Sequence, residues 1–238
     1  MNHSRRMWLV SVAAALVLVG TLLLGRWQLQ RAWMKERLAD QALTCQALPA
    51  LLGVDLTLPG FEGACDQRKV SLSGHWMSAK TVYLDNRQMN GRPGFFVVTP
   101  FTPEGSQFSI LVQRGWMPRN FLNREQVQMV DTPTGRVSIE GRIVPSPSKL
   151  YELGAADTGL IRQNLDMAAF AAETGLNLLN KSVQQTGPAT DGLQRDWMIV
   201  ASSPDKHYGY AFQWFGLSAL TLILYAWYQI GRFRSKKH

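Results

Sequence analysis

Two uncharged stretches at opposite ends of the chain constrain it more than anything between them. The longer one, Tyr208 to Ile230, runs 23 residues without a charge, and Arg232, Arg234, Lys236 and Lys237 follow it. At about 1.5 Å per residue, a helix of that length covers roughly 35 Å, enough to cross a bilayer with some tilt. The shorter one, Met7 to Leu24, is mostly aliphatic and follows Arg5 and Arg6. The sequence therefore reads as a domain bracketed by membrane. His207 stands at the mouth of the second run, where water meets lipid. That placement matters because imidazole is a frequent ligand of metals and haem iron.

The two runs divide the chain into five parts. Residues 1–6 form a cytoplasmic N-terminus, 7–24 a first transmembrane helix and 25–207 a β-rich domain; 208–230 form a second transmembrane helix and 231–238 a cytoplasmic tail. The first run is long for a signal-peptide core, and Leu-Leu-Leu-Gly-Arg-Trp is a poor cleavage site, so it reads as an uncleaved anchor. Two spans put both termini on one side, and the cations flanking the spans place that side in the cytoplasm. The domain is then periplasmic, in a bacterial inner membrane. The net charge of +8 comes in large part from these flanking cations. Neither a basic helix nor an aromatic-basic RNA motif accompanies it, so nucleic acid is excluded as a partner and the lipid bilayer is retained.

Between the runs, Gly25 to Leu43 reads as a continuing helix with Trp27 and Trp33 as interfacial anchors. From Lys69 the pattern turns to period two, rich in β-branched and aromatic residues. Strands are expected at 69–72, 81–85, 95–101, 108–114 and 136–144. The turn residues of Met89–Gly94 and Thr102–Gly105 supply the glycines and prolines that hairpins need. Asp166 caps a short helix, 167–174, that Gly175 ends, and two further strands follow near 181–185 and 196–201. Short connections favour antiparallel neighbours. The expected fold is an α+β membrane protein: N- and C-terminal transmembrane helices flank an antiparallel β-rich extracytoplasmic domain that carries one short helix. Cys45 and Cys65 flank a Pro/Gly-rich loop; they either pair across it in an oxidising compartment or remain two free thiols.

Candidate chemistry is sparse. His3 and His238 lie in the tails, and His75 follows a strand and reads as a surface residue. Carboxylates occur singly, and neither a zinc cluster nor a nucleophile elbow is present, so an enzyme is not expected. In a helix that starts near His207, Tyr210 and Trp214 fall three and seven residues on, along one side. An imidazole above flat aromatic surface suits a planar, apolar, iron-bearing ligand, and Arg26 and Arg31 emerge from the first run on the same side to meet carboxylates at its edge. By themselves these residues fit interfacial helix anchors with no ligand better.

Four blocks in order change the weighting. They are Gly25-Arg26-Trp27-Gln28-Leu29-Gln30-Arg31-Ala32-Trp33-Met34-Lys35; Val82–Arg87 with Gly91–Phe95 and Val98–Phe101; Ile110–Arg119; and His207-x-x-Tyr210-x-x-x-Trp214-Phe215-Gly216-Leu217-Ser218-Ala219. Over nearly its whole length the chain resembles the Surf1/Shy1 family of cytochrome c oxidase assembly factors. The resemblance implies a chaperone-like role in respiratory-chain biogenesis, with haem a handled for the catalytic subunit of haem-copper oxidase. It implies His207 as the axial metal ligand and oxidase subunit I as a partner; the placement of the residues adds Tyr210 and Trp214 as the wall and Arg26 or Arg31 near the propionates, with haem a synthase a further expected partner. The alternative is a scaffold that holds subunit I or the synthase through its periplasmic domain and binds no haem. Arg87, Arg114 and Gly115 also match family positions; Gly115 reads as a bulge or turn and Arg114 as a fixed donor of the β architecture. The Asp205-Lys206 pair before His207 departs from the family pattern.

Overall fold

A computed structural model describes residues 3–58, 60–119, 127–147, 158–189, 191–198 and 203–235. By contacts the chain forms two compact units, Met1–Asp40 with Val200–His238, and Gln41–Ile199.

The first unit is a helix pair. Helix α1, His3–Ala47, contributes its residues up to Asp40, and Asp205–Ser235 forms the second helix of the pair. Among the described residues, α1 is the one helix long and apolar enough to cross a membrane by length and composition. The second helix holds the whole 208–230 run, but its tyrosines, tryptophans and glutamines make it the less apolar of the two. The helices run antiparallel: Ser11 meets Tyr225 at 2.8 Å, and the hydroxyls of Thr21 and Ser218 meet at 2.7 Å. Small residues let the backbones approach, and Ala32 and Ala211 are buried at the seam. In lipid such hydroxyl pairs and small residues carry helix association, because apolar side chains gain nothing by leaving hydrocarbon.

The second unit is a β barrel with attachments. Its strands are β1 (Leu51–Leu52), β2 (Lys69–Trp76), β3 (Val82–Met89), β4 (Arg92–Pro103), β5 (Ser109–Pro118), β6 (Arg136–Val144), β7 (Ile161–Arg162) and β8 (Leu178–Gln185). Helix α2, Met167–Thr174, precedes β8, and the second helix of the first unit is α3 in chain order. Neighbour pairings run β2–β6–β8–β5–β4, and the end of β4 pairs back onto β2, which closes the ring. Closure removes open edges from the five ring strands. It also needs a glycine: a β-carbon on Gly74 would lie 2.1 Å from the Thr102 carbonyl oxygen, so only glycine lets β2 cross β4 there. Inside the ring Leu72, Phe101, Ile110, Val112, Ile143 and Val183 form the core. On the outer face Phe170 of α2 packs with Val82, Leu84, Val98 and Leu111.

The five expected strands before α2 are present, most of them longer than the sequence pattern suggests. The β3–β4 turn has Asn90 and Gly91 at φ 51° and 73°, the positive-φ pair of a tight hairpin. Helix α2 occupies 167–174; the Asp166 carboxylate accepts from Ala168 and Ala169 N–H, and Gly175 ends the helix at φ 70°. Two expectations need correction. The sheet is mixed, not antiparallel: β8 lies parallel to β5, β1 to β2 and β7 to β3. Short connections govern only sequential strands, whereas β8 arrives after α2 to fill the gap between β5 and β6. The expected last strand is also absent from residues 196–198, which are irregular; Gln194 makes only a single bridge to Trp116, and 199–201 lie outside the described residues. Cys45 and Cys65 are bonded, with Cα atoms 6.0 Å apart, so the two thiols left open by the sequence form a cystine.

Candidate functional site

His207 lies in the first turn of α3, behind a cap in which Ser203 Oγ accepts from the Asp205 N–H and donates to its carboxylate. Asp205 thus holds the start of the helix, where a negative charge complements the macrodipole. The half-buried imidazole faces α1, where Nδ1 lies 2.7 Å from Gln28 Oε1. A carbonyl oxygen only accepts, so Nδ1 is the donor here, and in the neutral ring this tautomer leaves the lone pair on Nε2. Nε2 makes no hydrogen bond among the described residues. One residue on, Tyr208 donates its hydroxyl to Glu36 Oε1 at 2.8 Å. These two bonds clamp the mouth of the helix pair.

The other expected site residues flank this seam. Tyr210 is 53% exposed and Trp214 is half-buried, so both keep ring surface available. Arg26 and Arg31 are exposed, and the Arg31 guanidinium lies over the Trp27 ring at 5.7 Å. The structure therefore brings His207 to Gln28 and leaves Tyr210, Arg26 and Arg31 outward. Gln28 and Glu36 escaped the sequence reading. A signal for Gln28 was present, because Thr21, Gly25, Gln28 and Ala32 form one small-or-polar stripe at helical spacing. Among the described residues no three of His, Cys, Asp and Glu converge as a metal-binding group. His75 is exposed, as a surface histidine should be.

The β unit has a buried polar cluster of its own. The register of β4 against β5 shifts so that Val97 faces Gly115 and Val98 faces Gln113, which leaves Arg114 as the extra residue of a bulge. Arg114 is 2% exposed and stacks over Trp76 at 4.9 Å. It donates to Thr132 Oγ1 at 2.6 Å, to the Asp131 carbonyl and to Asp191. Arg195 grips the same Asp191 carboxylate with contacts of 2.9 and 2.8 Å. Burial pushes the Arg114 guanidinium below its ordinary pKa, and Asp191 partly restores it. The bulge thus places the Arg114 guanidinium in a buried polar cluster beside Trp76.

A closed β barrel, a helix pair and one helix long and apolar enough to cross a membrane among the described residues define an α+β protein. Residues 15–219 match the SURF1 family, and the chain belongs to that family. A SURF1-like protein of Rickettsia bellii (strain RML369-C) is 29% identical over 225 residues, which cover 87% of this chain and 86% of that protein. Surfeit locus protein 1 of Rattus norvegicus is 27% identical, over 85% of this chain and 70% of its own length. The cytochrome oxidase assembly protein SHY1 of Saccharomyces cerevisiae is 32% identical over 97 residues, 40% of this chain and 24% of the yeast protein.

Proposed function

We propose that this protein is an assembly factor for haem-copper cytochrome c oxidase that binds haem a through His207 and assists its insertion into subunit I. In this reading α1 and α3 both span the bacterial inner membrane, with the termini cytoplasmic and the β unit periplasmic. Membership of the SURF1 family and the name carried by the yeast relative support the assembly role. The observation that carries the haem reading is the 2.7 Å bond between His207 Nδ1 and Gln28 Oε1. Imidazoles that ligate metals usually have their second nitrogen tied in this way, which sets the tautomer and the ring direction.

The residues present fit such a group. His207 would offer Nε2 to the iron, Tyr210 and Trp214 would form an aromatic wall, and Arg26 or Arg31 would meet the propionate carboxylates. The bound group would supply an iron centre that takes an imidazole nitrogen as ligand. The protein's own part is to orient, shield and release, with oxidase subunit I and haem a synthase as partners. To test this, the full chain is co-produced with the haem a synthesis enzymes, and its visible spectrum is recorded after purification. Haem a should co-purify and should fall away in His207→Ala. Unchanged haem a in a folded His207→Ala variant overturns the ligand role. A haem-free protein that still co-isolates with subunit I supports the scaffold reading instead.

A further inference from the structure

Lys69 on β2 and Arg142 on β6 are direct cross-strand partners. Like charges set opposite each other on one sheet face are destabilising unless something lies between them. Among the described residues no ion pair joins either one to a carboxylate. Glu140 is on the same face, opposite Ser71, and pairs with neither.

Arg142 is only 7% exposed. Its Nε and Nη2 both donate to one neutral oxygen, Gln184 Oε1, at 3.0 and 2.9 Å. That amide is held in turn: Gln184 Nε2 donates to Gln113 Oε1 at 3.3 Å, Gln113 Nε2 to Ser182 Oγ at 3.0 Å, and Ser182 to the Pro145 carbonyl at 2.6 Å. Because the last group only accepts, the direction of the whole chain is set: Gln184 Oε1 faces Arg142, and Gln113 Oε1 faces Gln184 Nε2. The cation is thus oriented with care and left without a counter-charge, and burial depresses its pKa with no carboxylate opposing. A buried charge in that condition is costly.

Beside it opens a cavity of about 500 Å³ lined by Lys69, Ser71, Glu140, Arg142, Thr186 and Gln67 among others. Gln67 Oε1 is buried without any donor. One cavity therefore holds two cations that no carboxylate pairs, two hydroxyls, and an acceptor lacking a hydrogen, with the Glu140 carboxylate also on its lining. A phosphate that retains a P–OH supplies both deficits, and its oxygens match the guanidinium edge.

We infer that this cavity is a binding site for a phosphate group, either free phosphate or the phosphate of a headgroup. The site lies in the β unit, and its test is independent of haem. The full chain in neutral detergent is titrated calorimetrically with inorganic phosphate at constant ionic strength, and in a second arm with short-chain phosphatidic acid. Saturable binding is expected. Lys69→Met should weaken it about tenfold, the loss of one charge-assisted contact, and Arg142→Met should abolish it. Saturation by inorganic phosphate assigns the site to the free anion; saturation by phosphatidic acid alone assigns it to a headgroup. Should Arg142→Met fail to fold, Lys69→Met, an exposed position, decides. Absence of saturable binding in both arms, or wild-type affinity in the folded variants, overturns the assignment.

Discussion

The ring of Phe215 fills the space that a β-carbon on Gly25 would need, with its nearest carbon 2.8 Å from that position. The seam between α1 and α3 closes at this point, four residues beyond the Thr21–Ser218 contact on α1. Gly25→Leu should force the ring out and destabilise the helix pair by about 1–3 kcal/mol, the usual penalty of overpacking. Phe215→Ala should suppress much of that loss. Thermal melting of the full chain in detergent, arranged as a double-mutant cycle, reads the coupling; additive effects would remove the proposed contact.

Gln28 sets the tautomer of His207. Gln28→Leu keeps the volume and removes the acceptor, so the imidazole loses its preference for the Nδ1–H form. Nitrogen NMR of labelled histidine should report a mixed tautomer population. The haem a content of the co-produced protein should fall about 10–100-fold in affinity terms, the range found for partners of metal-ligating groups. Retained tautomer and retained haem would deny Gln28 this role.

The cystine ties the last turn of α1 to the loop before β2, closing a separation of 20 residues. Reduction, or Cys45→Ser with Cys65→Ser, should lower the stability of the β unit by about 3 kcal/mol through the wider unfolded ensemble. Chemical denaturation followed with and without reductant measures it. Equal midpoints under both conditions would show the bond to be neutral.

Glu173 of α2 receives Arg162 at 2.6 and 2.7 Å, and Arg162 also lies over Phe170. The hydrogen bond to Arg162 holds the Glu173 pKa below its ordinary carboxylate value. A depressed folded pKa means that the contribution is present above the unfolded pKa and lost as pH falls through the folded one. Glu173→Gln should therefore cost a small amount of stability near neutral pH, and the difference from wild type should vanish in acid. The carboxylate is partly exposed, so added salt should shrink the effect. A difference that stays constant with pH would assign it to packing.

Helix α2 shows how much local chemistry the chain carries on its own: Asp166 and Gly175 mark its ends, and the structure starts and stops it between them. The strand positions were legible for the same reason, since period-two patterning and the Asn90-Gly91 turn act over a few residues. Ring closure was not. Pairing β4 back to β2, and laying β8 parallel to β5, joins strands far apart in sequence, and no local pattern names a partner. The candidate site divides the same way. The uncharged runs and His207 stand out in one dimension, because hydropathy and residue type are local properties. That Nδ1 meets Gln28, that Arg114 becomes a buried bulge residue, and that Lys69 faces Arg142 were decided only when distant segments packed. Burial and pairing belong to the assembled fold and to no single stretch of it.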